Sequence, residues 1–398
     1  MDSLFDKYRR LLGEIKTDFK RGLSGRINWQ ARGICIEGAR GTGKSTMMLQ
    51  YIKEHLSTEK TLYASLDDLY FKQHSLVDVA ETFYGQGGRY LFLDEVHKYE
   101  NWQTAVKNIY DFLPELQIVV SGSSILALQK SRADLSRRLL RYHLTELSLR
   151  EFIGLKHSID IPAIELGQLL TNHVEIVSDL QKQINSPLLH FKQYLDYGAY
   201  PFFIEGQAEF PMRLNQLINV IIDYDLPEAR AIEVSTQSKL KRLLYVLSSI
   251  VPYKPNISKL AEQIGTSRLR LLEMLHILEE AQLIRNLRSS AYGISIMNKP
   301  EKIFLSNPSM INALAEGQPE KGNLRETFFL SQLQNSGAIV TYPEDADFKV
   351  NNKWLFEIGS KSKSTEQLGN HANGFVAADE IQYGNKNKIP LWLFGFLY

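Results

Sequence analysis

Cysteine is almost absent from this chain: its 398 residues hold 1, Cys35. No disulfide can close within the chain, which excludes a disulfide-stapled scaffold and fits a reducing, cytoplasmic setting. Excess charge is missing too. Lys and Arg number 46 against 45 Asp and Glu, a formal net charge of +1. No global field advertises nucleic acid, so any such binding has to come from a local patch. The start of the sequence lacks a charged region followed by an apolar core, so no signal peptide is expected. Residues 389–398, IPLWLFGFLY, are apolar but too short to span a bilayer as a helix, and their aromatics suit a buried strand. No membrane partner is expected. Repeats and low-complexity tracts are lacking. What is there is an ordinary globular composition, 44% apolar and 23% charged, in a chain longer than one typical core, so two or three domains are expected.

The most informative stretch is Gly38-Ala39-Arg40-Gly41-Thr42-Gly43-Lys44-Ser45. It reads G-x-x-x-x-G-K-S, the phosphate-binding loop of nucleotide hydrolases. Gly38, Gly41 and Gly43 allow the tight turn that aims backbone N–H groups at a phosphate. A helix beginning at Lys44 and continuing through Thr46 adds the partial positive charge of its N-terminus. Lys44 is the point charge for the β- and γ-phosphates of ATP, and the Ser45 hydroxyl is a ligand for Mg2+. The loop needs a strand before it and a helix after it. Gly33-Ile34-Cys35-Ile36-Glu37 and Thr46-Met47-Met48-Leu49-Gln50-Tyr51-Ile52 supply them.

A second stretch, Tyr90-Leu91-Phe92-Leu93-Asp94-Glu95, is an apolar run ending in two carboxylates, as a buried parallel strand looks when it delivers acids to a sheet edge. Asp94 is expected to bind Mg2+, and Glu95 to polarise the attacking water. Further strands are expected at 61–66 and 117–121, and helices at 4–21, 75–83 and 102–112. The alternation implies a parallel, doubly wound α/β sheet with ligands at the carboxyl ends of its strands. Ser121 ends the strand expected beside the acidic one and is the favoured γ-phosphate sensor, with Ser123 as the alternative. Arg137, Arg138 and Arg141 follow in a charged span that could reach a phosphate in the same or a neighbouring subunit, or form a solvated helical face.

The later chain is less explicit. Residues 257–264, a Gly265-Thr266-Ser267 turn, a helix over 268–281 with Leu269, Leu272, Leu275 and Leu278 inward, and a strand over 283–288 form a helix-turn-helix of winged type. Lys254, Lys259, Arg268, Arg270, Arg285 and Arg288 make a local basic patch, suited either to duplex DNA or to packing on a protein partner. Toward the end, a helix over 324–333 carries Glu326, and a hairpin carries Asp347 and Glu357. Two carboxylates and a lysine hold the metal and the transition state in many nucleases. Here Gly359 stands where that lysine is expected, and Lys361 shares the face of Glu357 only if the strand continues.

These pieces together resemble a family of bacterial and archaeal AAA+-type ATPases that carry a P-loop core, a winged helix and a restriction-endonuclease-like C-terminal domain of unknown function. The resemblance runs through Leu93-Asp94-Glu95-Val96-His97, Trp102, Ser121-Gly122-Ser123-Ser124, Arg138, 147–152, Tyr197-Gly198-Ala199-Tyr200-Pro201, Glu326, Asp347-Phe348 and 356–361. It implies a P-loop domain over 1–150, a helical region over 151–238, a winged helix over 239–298 and a nuclease-like domain over 299–398. It also implies ATP and Mg2+ as ligands, and Arg138 as arginine finger or sensor, with a homo-oligomer if the finger acts in trans.

Overall fold

The computed structural model describes residues 1–123, 135–230, 232–250, 252–289, 299–315, 317–364, 368, 371 and 373–398. They form two compact units, Met1–Thr145 with Glu228–Ala231, and Glu146–Pro227 with Ile232–Tyr398.

The first unit runs α1 (Asp2–Glu14), β1 (Gly33–Gly38), α2 (Lys44–His55), β2 (Thr61–Ser65), α3 (Leu76–Gly85), β3 (Tyr90–Asp94), α4 (Trp102–Phe112), β4 (Gln117–Ser123) and β5 (Leu140–His143). The strands lie in the order β2-β3-β4-β1-β5, every neighbouring pair parallel. This is the P-loop NTPase fold of AAA+ type. Strand side chains alternate between faces, and here both faces are covered. Ile34, Ile36, Phe92 and Val119 meet Tyr8 and Leu12 of α1 and Met47, Met48 and Ile52 of α2. Cys35, Leu91, Leu93, Ile118 and Val120 point the other way, onto Leu76, Val79 and Phe83 of α3 and Trp102, Val106 and Ile109 of α4. Two expectations change. The first helix stops at Glu14, and Gln50 Nε2 then takes the carbonyls of Lys16 and Phe19, each at 2.8 Å, which draws the chain off the helical path. The arginine-rich span yields β5, an edge strand beside β1. Its exposed Leu140 and His143 leave it no apolar signature. Ser124 lies outside the described residues.

The second unit is helical over Leu149–His157, Leu166–Gln181, Pro187–Tyr197, Phe210–Val220 and Val234–Ile250. Helices Ile257–Ile264 and Arg268–Glu280 then flank Gly265, at φ 72°, and Ser267, whose hydroxyl accepts the Arg270 amide. An antiparallel ribbon of β6 (Ile284–Leu287) and β7 (Lys302–Leu305) follows. The second helix buries Leu271, Leu272, Met274, Leu275, Ile277 and Leu278, while Leu269 is 48% exposed. The expected inner face, spaced strictly by three, drifts about 60° per step on a helix of 3.6 residues per turn. A mixed sheet, β12-β11-β10-β9-β8, closes the unit. It consists of β8 (Val340–Thr341), β9 (Phe348–Val350), β10 (Trp354–Gly359), β11 (Gly374–Ala378) and β12 (Lys388–Pro390), with helix Lys321–Asn335 packed against it. Residues 391–396, expected as strand, instead turn as a 3-10 helix after Pro390, which has no N–H to continue a ladder.

Candidate nucleotide site

The carboxyl edge of the first sheet gathers the sequence-marked residues. The 38–45 loop leaves β1 and turns into α2 with Gly41 at φ 78° and Gly43 at φ 94°, left-handed conformations that a side chain would resist. Lys44 is buried, and its Nζ donates to the carbonyls of Gly38 and Ala39, each at 3.0 Å. Thr42 Oγ1 donates to Ala39 O at 2.8 Å, closing the turn from inside. Ser45 and Thr46 lie in the first turn of α2, the end of a helix whose leading N–H groups face out along its axis. Arg40 lies near enough to His97 to depress its pKa.

One strand, β4, separates β1 from β3 and brings Ser121 between the loop and the acids. Asp94 is buried and accepts from Tyr63 Oη at 2.6 Å, from Ser121 Oγ, and from the Glu95 amide at 3.0 Å. The Ser45 side chain lies near enough to Tyr63 Oη to influence its pKa. Ser45 and Asp94 are hard oxygen donors, a set that suits Mg2+ and not a thiophilic metal. Ser123, the alternative sensor, stands opposite Gly38 at the same edge.

Glu95 follows at φ 51°, a left-handed backbone that non-glycine residues adopt at a cost and that recurs at functional sites. Its Oε2 lies 3.2 Å from His97 Nε2, out of line for a hydrogen bond. Burial, with Lys98, Lys44 and Arg40, pushes the His97 pKa down to about 3, so at neutral pH the ring is uncharged and does not neutralise Glu95.

Arg138 does not join this site. It precedes β5, whose Leu140 pairs with Ile34, so it sits at the amino edge of the sheet. The length of β1, about 17 Å, separates that edge from the loop. Its guanidinium forks onto both Asp111 oxygens at 2.8 Å. This placement does not bring Arg138 to the 38–45 loop of its own chain. Two residues not singled out from sequence do belong to the site. Tyr63 is one. Arg21 is the other: it is buried and donates to Thr42 O at 2.5 Å and Thr145 O at 2.8 Å, tying the loop to the chain beyond β5. A lone arginine between helix and strand carries no sequence signal for this.

In the second unit the basic patch thins. Arg285 is spent on Ser306 O, Gln334, Asn335 and Glu146, and Arg288 forks onto Glu279. Arg270 pairs with Glu273 at 2.8 Å, and Lys254 lies over the Tyr342 ring. Arg268 and Lys259 are exposed. The C-terminal acids do converge. Burial raises the Glu326 pKa, with Asp347 and Glu357 adding and Lys302 opposing. Asp347 Oδ2 accepts the Ile358 amide at 2.8 Å. The lysine, however, is Lys363 and not Lys361. β10 ends at Gly359, Lys361 is exposed, and the turn returns Lys363 Nζ to 2.6 Å from Glu357. A Cβ on Gly359 would stand 2.7 Å from the Lys363 stem, so the glycine makes room for this return.

Residues 30–153 match the family described as an AAA domain, so this region is similar to AAA domains in sequence as well as in fold. Residues 188–321 match a domain of unknown function. An uncharacterized protein of Methanocaldococcus jannaschii is 27% identical over 289 residues, 69% of this chain and 61% of that protein. A second from the same organism is 22% identical over 320 residues, 76% of this chain and 67% of that protein. Among solved structures, katanin is similar at a TM-score of 0.26 and 19% identity, covering 40% of this chain and 57% of that one. PCH-2 of C. elegans is similar at 0.25 and 14% identity, covering 71% of this chain and 66% of that one. At these scores neither likeness carries an argument about this chain. No helix among the described residues is long and apolar enough to cross a membrane.

Proposed function

We propose that the chain binds ATP with Mg2+ at the carboxyl edge of the first sheet, hydrolyses it, and couples nucleotide state to movement of the second unit. The observation that carries this is the meeting of the 38–45 loop, Asp94-Glu95 and Ser121 at one edge. Lys44 exchanges its two loop carbonyls for phosphate oxygens, and the loop N–H groups complete the cradle. Ser45 and Asp94 hold Mg2+, which when bound neutralises charge on the β- and γ-phosphates. Glu95 orients and deprotonates the attacking water. Ser121, whose hydroxyl donates to the Asp94 carboxylate and accepts the Glu95 backbone amide, registers the γ-phosphate. Arg138 takes no part within one chain; a finger role would need a second copy. Phosphate release from ATP by the purified chain tests this reading. Release is expected in Mg2+ and not in excess EDTA; no release in Mg2+ would contradict it.

The coupling half rests on chain path. The chain leaves the first unit after Thr145 and returns for Glu228–Ala231. There Glu228 pairs with Lys98 Nζ at 2.7 Å, three residues from Glu95. With Arg285 and Arg288 committed internally, we read the winged-helix segment as a protein adaptor in preference to a DNA reader. We likewise read the C-terminal acids as structural. Lys302 and Lys363 compensate Glu326 and Glu357 directly, leaving little demand for a cation. Duplex and single-stranded DNA incubated with Mg2+ or Mn2+, with or without ATP, should therefore stay intact. Cleavage lost in both Asp347→Ala and Glu357→Ala would overturn that.

A further inference from the structure

We propose that Tyr63 is a positioning residue of the metal site, its hydroxyl holding one Asp94 oxygen so that the carboxylate presents its remaining lone pairs to the divalent cation that accompanies the nucleotide. The inference rests on the ATP·Mg2+ reading and names a residue which that reading does not use. Tyr63 lies in β2 opposite Phe92 of β3, its ring among Met47, Met48 and Phe92 in the core beneath α2, and it is 5% exposed. Packing fixes the ring, and the ring fixes the hydroxyl.

Oη donates its one proton to Asp94 Oδ2 at 2.6 Å. The other Asp94 oxygen is pinned by Ser121 Oγ and the Glu95 amide. The carboxylate is thus clamped at both oxygens, and its remaining acceptor sites have set directions. An anchor that served only the core would be indifferent to the cation. A group orienting the ligands is not: removing such an outer partner typically weakens metal affinity 10- to 100-fold.

The test is calorimetric binding of a non-hydrolysable ATP analogue to the full chain and to Tyr63→Phe, first in EDTA and then across a Mg2+ titration. The phenylalanine keeps the ring and loses only the hydroxyl. Metal-free binding should be unchanged, which also reports that the fold is intact. The Mg2+ concentration giving half-maximal tightening should rise roughly 10- to 100-fold. Tyr63→Met, which fills similar space without a hydroxyl, replaces the phenylalanine variant if that one fails to fold. A variant that responds to Mg2+ at the wild-type concentration overturns the inference alone. A wild-type chain that binds no analogue in Mg2+ overturns the ATP reading and the inference with it.

Discussion

Lys44→Ala abolishes useful ATP binding and turnover while the fold survives. Lys44 Nζ is a buried ammonium held 3.0 Å from two loop carbonyls, at the point where the phosphates must arrive. Each hydrogen bond from a charged donor contributes about 1.5–3 kcal/mol, so losing two weakens ATP by about 100-fold or more. The cost to the fold is small, because α2 is anchored by Met47, Met48 and Ile52 and not by the lysine. Calorimetric titration of wild type and variant in parallel measures the loss, and a thermal melt confirms the fold. Equal affinities would remove the 38–45 loop from the site.

Asp94 and Glu95 are adjacent, yet their substitutions should have separable effects. Glu95→Gln keeps shape and hydrogen bonding and removes the charge that activates water, so ATP·Mg2+ binding persists and turnover falls by about 10²–10⁴-fold. Asp94→Asn does something different. Asp94 accepts from Tyr63, Ser121 and the Glu95 amide, and an amide in its place turns an N–H2 toward groups that are themselves donors. Mg2+-dependent tightening should be lost, and the mismatch should also cost about 1–3 kcal/mol of stability, read as a lower melting temperature. Normal turnover in Glu95→Gln would place the base elsewhere, and unchanged Mg2+ dependence in Asp94→Asn would remove the carboxylate from the metal.

The P-loop half of the fold was legible because its signals are local. Apolar runs such as 91–93 and 118–120 mark strands buried on both faces, and a glycine-rich turn before a helix marks the loop. What was not legible depends on strand direction and on neighbours far apart in sequence. Arg138 looks close to the site when read along the chain, but it lies before a parallel strand and so at the wrong end of the sheet. Tyr63, in the run Thr61-Leu62-Tyr63-Ala64-Ser65, is indistinguishable from a core aromatic until β2 is set beside β3 and its hydroxyl finds Asp94. Lys361 was the natural candidate on the assumption of a continuing strand, but β10 ends at Gly359 and the turn returns Lys363. The arginines of the expected basic patch carry the same letter whether they face solvent or, like Arg285, fork onto buried acceptors.

The central claim is that the 38–45 loop, Asp94-Glu95 and Ser121 act on one ATP. Its most direct test is the wild-type titration itself: ATP, ADP and AMP in Mg2+, followed by calorimetry. Recognition built on the β- and γ-phosphates predicts one ATP per chain, competition by ADP, and far weaker binding of AMP. No ATP binding at millimolar concentration, or AMP binding as tightly as ATP, would contradict it.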